Sequence, residues 1–248
     1  MWTDGQWTHK SYRPLCTLSY IMQFWMTGWE IHPWSLRAAS CLLHGFTSAL
    51  VGDTVERYFE LPGMTAWLAS IYFAFHPVHT ENIVYLVGRA DLMATTFMVL
   101  AIRAYFRWNG SVIGFLGLCA ITCLAGLTKE TGFTVIVHLG AMALLGRSIR
   151  TPRYIVRGVM LIVAFFVIIG LRSWYVGGTS VGFSYVDTPI RYQNSTLTRG
   201  LSYAHQHSYY AQIMVFPWNL SWDYSYDSLP LLTGSSDCSR LLGCWYWK

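Results

Sequence analysis

What this sequence lacks most is charge. Asp, Glu, Lys and Arg make up 12% of its 248 residues, against roughly 25% in an ordinary soluble domain. With 54% hydrophobic residues and 17% aromatics, too little polar surface remains to cover a globule, and the same figures exclude intrinsic disorder. There is no G-x-S-x-G elbow, no P-loop and no dinucleotide glycine fingerprint, so those hydrolase and nucleotide chemistries leave no trace. The 6 cysteines show no C-x-x-C spacing, in a chain too long for a disulfide scaffold. Cys119 and Cys123, one helical turn apart in an apolar run, read as small side chains at a helix contact rather than a redox or metal pair. The net charge of +5 does not point to nucleic acid, because the basic residues are scattered between apolar runs. Anionic lipid is the better counter-charge.

What is present is a series of apolar runs near the ~20 residues that cross a bilayer. The clearest is Tyr154 to Val176, with an uncharged centre from Val159 to Ile169. Val112 to Leu127 and Gly132 to Leu145 flank Lys129-Glu130, a pair too costly to bury at mid-bilayer, which places it in a turn at the membrane face. Pro33 to Val55 and Met64 to Phe75 form another hairpin around the turn Glu56 to Gly63, and Asp91 to Phe106 is a further span with Arg103 and Arg107 snorkelling at its end. The expectation is an all-α polytopic bundle of about six to seven spans. Leu15 to Trp29, entered at Pro14, reads as an interfacial helix, and the Tyr- and Trp-rich stretch beyond Leu201 suits headgroup depth. The expected organisation is a loop end and interfacial helix over 1–32, a helical core over 33–176, a loop with an aromatic segment over 177–232, and a divergent tail over 233–248.

The basic residues divide almost evenly between the two faces. The short loop from Arg147 to Arg157 carries four Arg and no acid, which assigns it to the cytoplasm and the opposite face to the lumen. The sequon Asn194-Ser195-Thr196 then falls on the lumenal side and Asn109-Gly110-Ser111 on the cytosolic side.

The few charges gather at helix ends on the lumenal face: His9 to Pro14, His76 to Asn82, Gly88 to Asp91, and Lys129-Glu130. His76, His79 and Glu81 are of metal-ligand type. Pro77 breaks the helical H-x-x-x-H geometry, however, and no further pair completes a ligand set, so no metal is assigned. His76 and Pro77 also serve simply to end a helix, and His79 to bond a carbonyl. Asp91 suits a helix N-terminus. The cations Arg13, Arg89 and Lys129 suit a phosphate, and Glu130 has the plain alternative of neutralising Lys129. Charges at the rim, rather than in broken helices at the midplane, favour surface chemistry on a lipid-linked phosphate over transport.

Four strings, His9-Lys10-Ser11-Tyr12-Arg13-Pro14-Leu15, Leu42-Leu43-His44-Gly45, Phe75-His76-Pro77-Val78-His79-Thr80-Glu81 with Val87-Gly88-Arg89-Ala90-Asp91, and Lys129-Glu130-Thr131-Gly132, occur in the order and spacing of one family. They resemble the transmembrane and tetratricopeptide repeat-containing protein O-mannosyltransferases. Ser195 to Arg199, Phe216-Pro217 and Trp222 to Ser225 are similar to the segment that follows there, so the resemblance spans about residues 7 to 232. It implies a GT-C type membrane domain in the endoplasmic reticulum. The implied reaction moves mannose from dolichyl phosphate mannose to Ser or Thr hydroxyls of secretory-pathway proteins, cadherin-type domains among them, with no obligatory cofactor. Arg13, His76, His79, Glu81, Arg89, Asp91, Lys129 and Glu130 become the donor-phosphate or substrate pocket candidates. The resemblance also implies that the acidic catalytic base lies upstream, since Asp4 is the sole acid before the shared motif, that the repeats are missing, and that Gly234 to Lys248 is unrelated to the family. A membrane scaffold without the base, and a polytopic transporter, are the alternatives.

The orientation predicts an endoglycosidase-sensitive glycan on Asn194 of the membrane-inserted chain. A glycan on Asn109 overturns it.

Overall fold

The structure is a computed structural model that describes residues 13–108, 110–145, 152–176, 184–218, 220–221, 224–225 and 228–234, with the side chains of 143–145, 152–158 and 175–176 left aside. The chain divides into two compact units at 179/180. The first carries α1 (Pro14–Met26), α2 (Pro33–Tyr58), α3 (Gly63–Phe75), α4 (His79–Val84), α5 (Arg89–Arg107), α6 (Val112–Thr128), α7 (Val135–Leu145) and α8 (Pro152–Val176), with 3₁₀ turns at Leu86–Gly88 and Glu130–Thr134. The second carries the 3₁₀ turn Pro189–Tyr192 and α9 (Thr196–Val215). The described regular structure is helical throughout, in line with an all-α fold.

Local chemistry explains most boundaries. Pro14 and Pro33 occupy the first turns of α1 and α2, where a missing amide proton costs no hydrogen bond. The chain leaves α1 through Gly28 and Trp29 at φ of 69° and 67°, left-handed conformations that a helix cannot continue through. Ser111 caps α6 by accepting from the Gly114 amide at 3.1 Å. Two expectations shift. Helix α2 runs to Tyr58 rather than ending at Val55, because Asp53 and Arg57 pair one turn apart at 2.6 Å and carry the helix into the polar segment. The segment expected as one helix from Gly132 begins as the Glu130–Thr134 3₁₀ turn, and α7 starts only at Val135.

Glycine makes that tight turn possible. A Cβ on Gly132 would stand 2.3 Å from the Ala125 carbonyl carbon, so the turn lies directly on the backbone at the end of α6. A Cβ on Gly126 would meet the Phe133 ring at 2.1 Å. Helices α2 and α3 approach in the same way: a Cβ on Gly52 would sit 2.9 Å from Ser70 Cβ, and Ser70 Oγ donates to the Ser48 carbonyl at 2.8 Å. Small residues one turn apart on both partners allow this contact.

The packing departs from the pattern of a soluble protein in what it buries beside its apolar core and in what it exposes. Ser40, Thr47, Ser48, Thr54, Thr96, Thr122 and Thr128 are buried, while Trp34, Trp67, Phe75, Ile113 and Trp174 are exposed. The inward hydroxyls are satisfied locally: Ser48 and Thr122 donate to the carbonyls four residues earlier at 2.8 and 2.9 Å, and Thr47 and Thr96, 2.6 Å apart, share their two protons between each other and the Leu43 and Leu92 carbonyls. An apolar core forms where α5, α6, α7 and α8 meet, around Ala101, Leu118, Val135, Leu139 and Leu161. Arg103 does not snorkel. It is held by Asp53 of α2 at 2.5 Å and is 12% exposed, because a carboxylate within reach outcompetes solvent for a mostly buried guanidinium.

Among the described residues, no helix is long and apolar enough to cross a membrane. The 13 residues of α3, 11 of α7 and 17 of α6 rise about 20, 16 and 26 Å, short of a ~30 Å hydrocarbon core.

Gly132→Ala tests the close approach. It should destabilise the fold by about 1–3 kcal/mol, since the obstruction is backbone and cannot swing aside. Gly140→Ala, where nothing lies within 4 Å, should be neutral or stabilising by up to ~1 kcal/mol. Thermal unfolding of the two variants checks this, and equal melting shifts would contradict it.

Candidate functional site

Four of the sequence-predicted residues come together where α1 begins, α5 begins and α6 ends. Arg13, the N-cap of α1, donates to Glu130 Oε2 from Nε at 3.2 Å and from a terminal nitrogen at 3.0 Å, a two-pronged contact across 117 positions of sequence. Arg172, near the end of α8, donates to the other oxygen, Oε1, at 2.8 Å. Beside this, Lys129 Nζ reaches both oxygens of Asp91 at 2.5 and 2.7 Å. Lys129 and Glu130 are chain neighbours in extended and 3₁₀ backbone, so their side chains diverge to different partners. The simple neutralisation of Lys129 by Glu130 is therefore corrected: each has its own partner, and the cluster of Arg13, Glu130 and Arg172 keeps one excess positive charge.

All five side chains are part-buried, at 24–36% exposure. Half-burial alone would raise the Glu130 pKa. The backbone hydrogen bond of its own turn and the two guanidiniums outweigh this and hold the carboxyl below its ordinary 4.5. Glu130 is thus a fixed carboxylate at neutral pH, suited to positioning cations and poorly suited to accepting a proton.

Arg89 is placed differently from the expectation. It is 4% exposed, donates to the Leu36 carbonyl at 3.0 Å, and lies 4.1 Å from the Tyr20 ring centroid, while the Tyr20 hydroxyl donates to the Leu86 carbonyl. A guanidinium spent on a backbone carbonyl and an aromatic face ties α1, α2 and α5 together; it does not stand at an open mouth. Its neighbour Gly88 is required, since a Cβ there would meet the Asn82 backbone at 2.5 Å.

The imidazoles gather in a second place. His79 packs on Phe73 with ring centroids 4.4 Å apart and lies 5.1 Å from His44 and 6.0 Å from His76. Burial first, then the two neighbouring imidazoles, lower its pKa to about 4. His44 is buried with Nε2 3.0 Å from the Ala74 carbonyl, which fixes the proton on Nε2. His76 Nδ1 accepts from the Val78 amide at 3.3 Å, in the turn that Pro77 imposes between α3 and α4. Glu81 is exposed in the first turn of α4, and Asn194 is exposed just before Ser195, whose hydroxyl caps α9. Among the described residues, no group of three or more His, Cys, Asp or Glu is placed to hold a metal ion. His9, Lys10 and Asn109 lie outside the described residues.

Against this geometry stand the comparisons with known proteins. Human protein O-mannosyl-transferase TMTC2 is 30% identical over 264 residues, covering 94% of this chain and 30% of that protein. Drosophila melanogaster Tmtc2 is 32% identical over 240 residues, covering 93% of this chain and 25% of that protein, and mouse TMTC4 is 28% identical over 275, covering 93% and 37%. The family model for protein O-mannosyl-transferase TMTC, DUF1736, matches residues 177–247. Over most of its length the chain is similar to the TMTC family.

It spans about a third of the length of the curated TMTC relatives it matches, and no solved structure matches it. The TMTC match running through 247 overturns the expectation that the stretch from Gly234 onward is unrelated to the family. The ion-pair cluster lies before that match. Sequence reasoning missed Arg172 as a site residue; the available signal was a lone Arg at the end of the most apolar run.

Two of the shifted groups contribute to the pH profile of stability. His79 takes up its proton more readily unfolded, so its contribution is full above 6.5 and is lost as pH falls toward about 4. Glu130 is depressed, so its contribution is lost only below 4.5. Melting temperature should fall through both windows. His79→Phe should flatten the upper one and Glu130→Gln the lower one; an unchanged profile in either variant contradicts the corresponding assignment.

Proposed function

We propose that the chain is the membrane portion of a protein O-mannosyltransferase of the endoplasmic reticulum, acting on dolichyl phosphate mannose and Ser or Thr hydroxyls of secretory-pathway proteins, cadherin-type domains among them. The relatives' name supplies the reaction class. The observation that carries the reading is that three separate sequence motifs deliver Arg13, Asp91, Lys129 and Glu130 to one end of the helices, with a net positive charge on the Arg13, Glu130 and Arg172 group. A phosphate leaving group takes up negative charge as its bond to the sugar breaks, and fixed cations stabilise it there. A multi-pass GT-C arrangement is supported by buried hydroxyls and exposed Trp, Phe and Ile side chains, which suit lipid outside and polar contacts between helices.

The chemistry at this end follows from the residues. Arg13 and Lys129 supply donors, and their carboxylate partners keep both side chains in place before substrate arrives, which removes ordering cost at the reacting step. Neither Glu130, paired twice, nor Asp91, bound to Lys129 through both oxygens, is free to take the acceptor's proton. The general base is therefore a group other than these two. The same pairing is what favours the scaffold reading as runner-up.

An acceptor-peptide assay with radiolabelled dolichyl phosphate mannose, run on this chain and on one extended upstream, separates the two. Transfer by the extended chain, reduced at least about tenfold by Lys129→Met (~1.4 kcal/mol of lost stabilisation), is expected. No transfer from either overturns the enzyme reading.

A further inference from the structure

Helix α1 is fastened to the first unit mainly by polar contacts. Of its 13 residues only Cys16 and Gln23 are buried, while Leu18, Ile21, Met22, Trp25 and Met26 are exposed. Apolar burial therefore contributes little to holding it down. Three polar contacts do the rest: the Arg13–Glu130 ion pair at its start, the Tyr20 hydroxyl on the Leu86 carbonyl with the Arg89 guanidinium over the Tyr20 ring, and a long 3.4 Å bond from Gln23 Nε2 to Ser35 Oγ.

This closed position carries costs. Gln23 Oε1 and Arg89 Nε are both buried without a hydrogen-bond partner, and water would satisfy each of them if the contact opened. Arg89 is held by the Leu36 carbonyl and the Tyr20 ring, neither of which carries a charge to offset its own. At the far end of α1 stands a joint. Gly28 and Trp29 are both left-handed, at φ of 69° and 67°, and nothing lies within 4 Å of the Cβ position on Gly28. An L side chain such as that of Trp29 rarely adopts this conformation, so the joint is strained as it stands. The Trp29 amide donates to the Phe24 carbonyl at 2.6 Å and keeps α1 helical through its last turn, so the helix moves as one piece.

We propose that α1 is a hinged cover: it turns about Gly28 and Trp29 and lifts its N-terminal half, which uncovers Arg89 and Cys16 and parts Arg13 from Glu130. Closed, Arg89 is 4% exposed. Open, its guanidinium becomes accessible two residues from Asp91, the partner of Lys129. Closing brings Arg13 back onto Glu130. The cover itself does not depend on the mannosyl-transfer reading; its bearing on substrate access does.

Cys16, 8% exposed on α1, reports the motion. The experiment is pulsed labelling of the full chain in neutral-lipid nanodiscs with N-ethylmaleimide, read at Cys16 by peptide mass spectrometry, with amide hydrogen exchange of α2 and α5 followed in the same samples. Relative to unfolded peptides, the Cys16 thiol should be at least about tenfold less protected than the α2 and α5 amides, the mark of local opening. Arg13→Gln should raise the labelling rate at least about fivefold and leave α2 and α5 unchanged. Arg13 favours the Cys16 thiolate, so its removal makes the thiol less reactive and cannot imitate the increase. Gln23→Leu removes an orphaned atom from the closed state and should slow labelling at least about threefold, whereas a merely structural Gln23 gives a faster rate. Cys16 protected as well as α2 and α5, no acceleration in Arg13→Gln, or no slowing in Gln23→Leu overturns the cover. Because the readout contains no sugar, the expected labelling with absent mannosyl transfer sinks the transferase reading alone.

Discussion

The carboxylate of Glu130 holds three distant parts of the first unit in one place. Arg13 comes from the start of α1, Arg172 from the end of α8, and Glu130 itself from the turn between α6 and α7. A turn of five residues gives its ends little freedom, and this one is further fixed by Gly132 seated on the Ala125 backbone and by Phe133 lying over Gly126. The ion pairs therefore connect elements that are already rigid, so little conformational entropy is lost in forming them. Remove the carboxylate, and two part-buried guanidiniums are left facing each other. The cost of that uncompensated charge exceeds what the pairs contribute at a wet surface.

The second constraint is close approach between helices. Gly52 against Ser70, Gly126 against Phe133 and Gly132 against Ala125 leave no room for a Cβ, and the hydroxyls nearby bond to their own helices, as Ser48 and Thr122 do, or across to a neighbour, as Ser70 does. Large apolar side chains are consequently displaced outward, where Trp34, Trp67 and Phe75 are exposed. Small and self-satisfied inside, large and apolar outside is a solution suited to a surrounding that is itself apolar. Three sets of charges are paired across elements: Asp53 with Arg103, Asp91 with Lys129, and Glu130 with two arginines.

Helix positions were readable because apolar runs ended at Pro, Gly and charge. Pro33, Gly88, Ser111 and the Lys129-Glu130 pair mark real boundaries. The family was readable too, since several short strings in one order carry more information than any string alone. The pairing of charges was not. Adjacent Lys129 and Glu130 invite a mutual bond, and only the extended backbone at Lys129, entering a 3₁₀ turn, sends the two side chains to different helices. Arg89 was misplaced for a related reason: being charged at a helix start suggests an open mouth, yet Tyr20 and the Leu36 carbonyl, neither adjacent in sequence, enclose it. Arg172 carried no motif, and its importance arises from where α8 ends relative to the Glu130 turn. Periodicity specifies elements; which distant side chains meet depends on how the elements pack.

The central claim is that Glu130 couples the ends of α1 and α8. The most direct measurement is a double-mutant cycle on thermal unfolding between Arg172→Gln and Glu130→Gln in the full chain. The account predicts that the two changes are not additive, with a coupling of about 1 kcal/mol or more, within the range for residues sharing one ion-pair network. Additive melting shifts, with no coupling beyond about 0.3 kcal/mol, would contradict it.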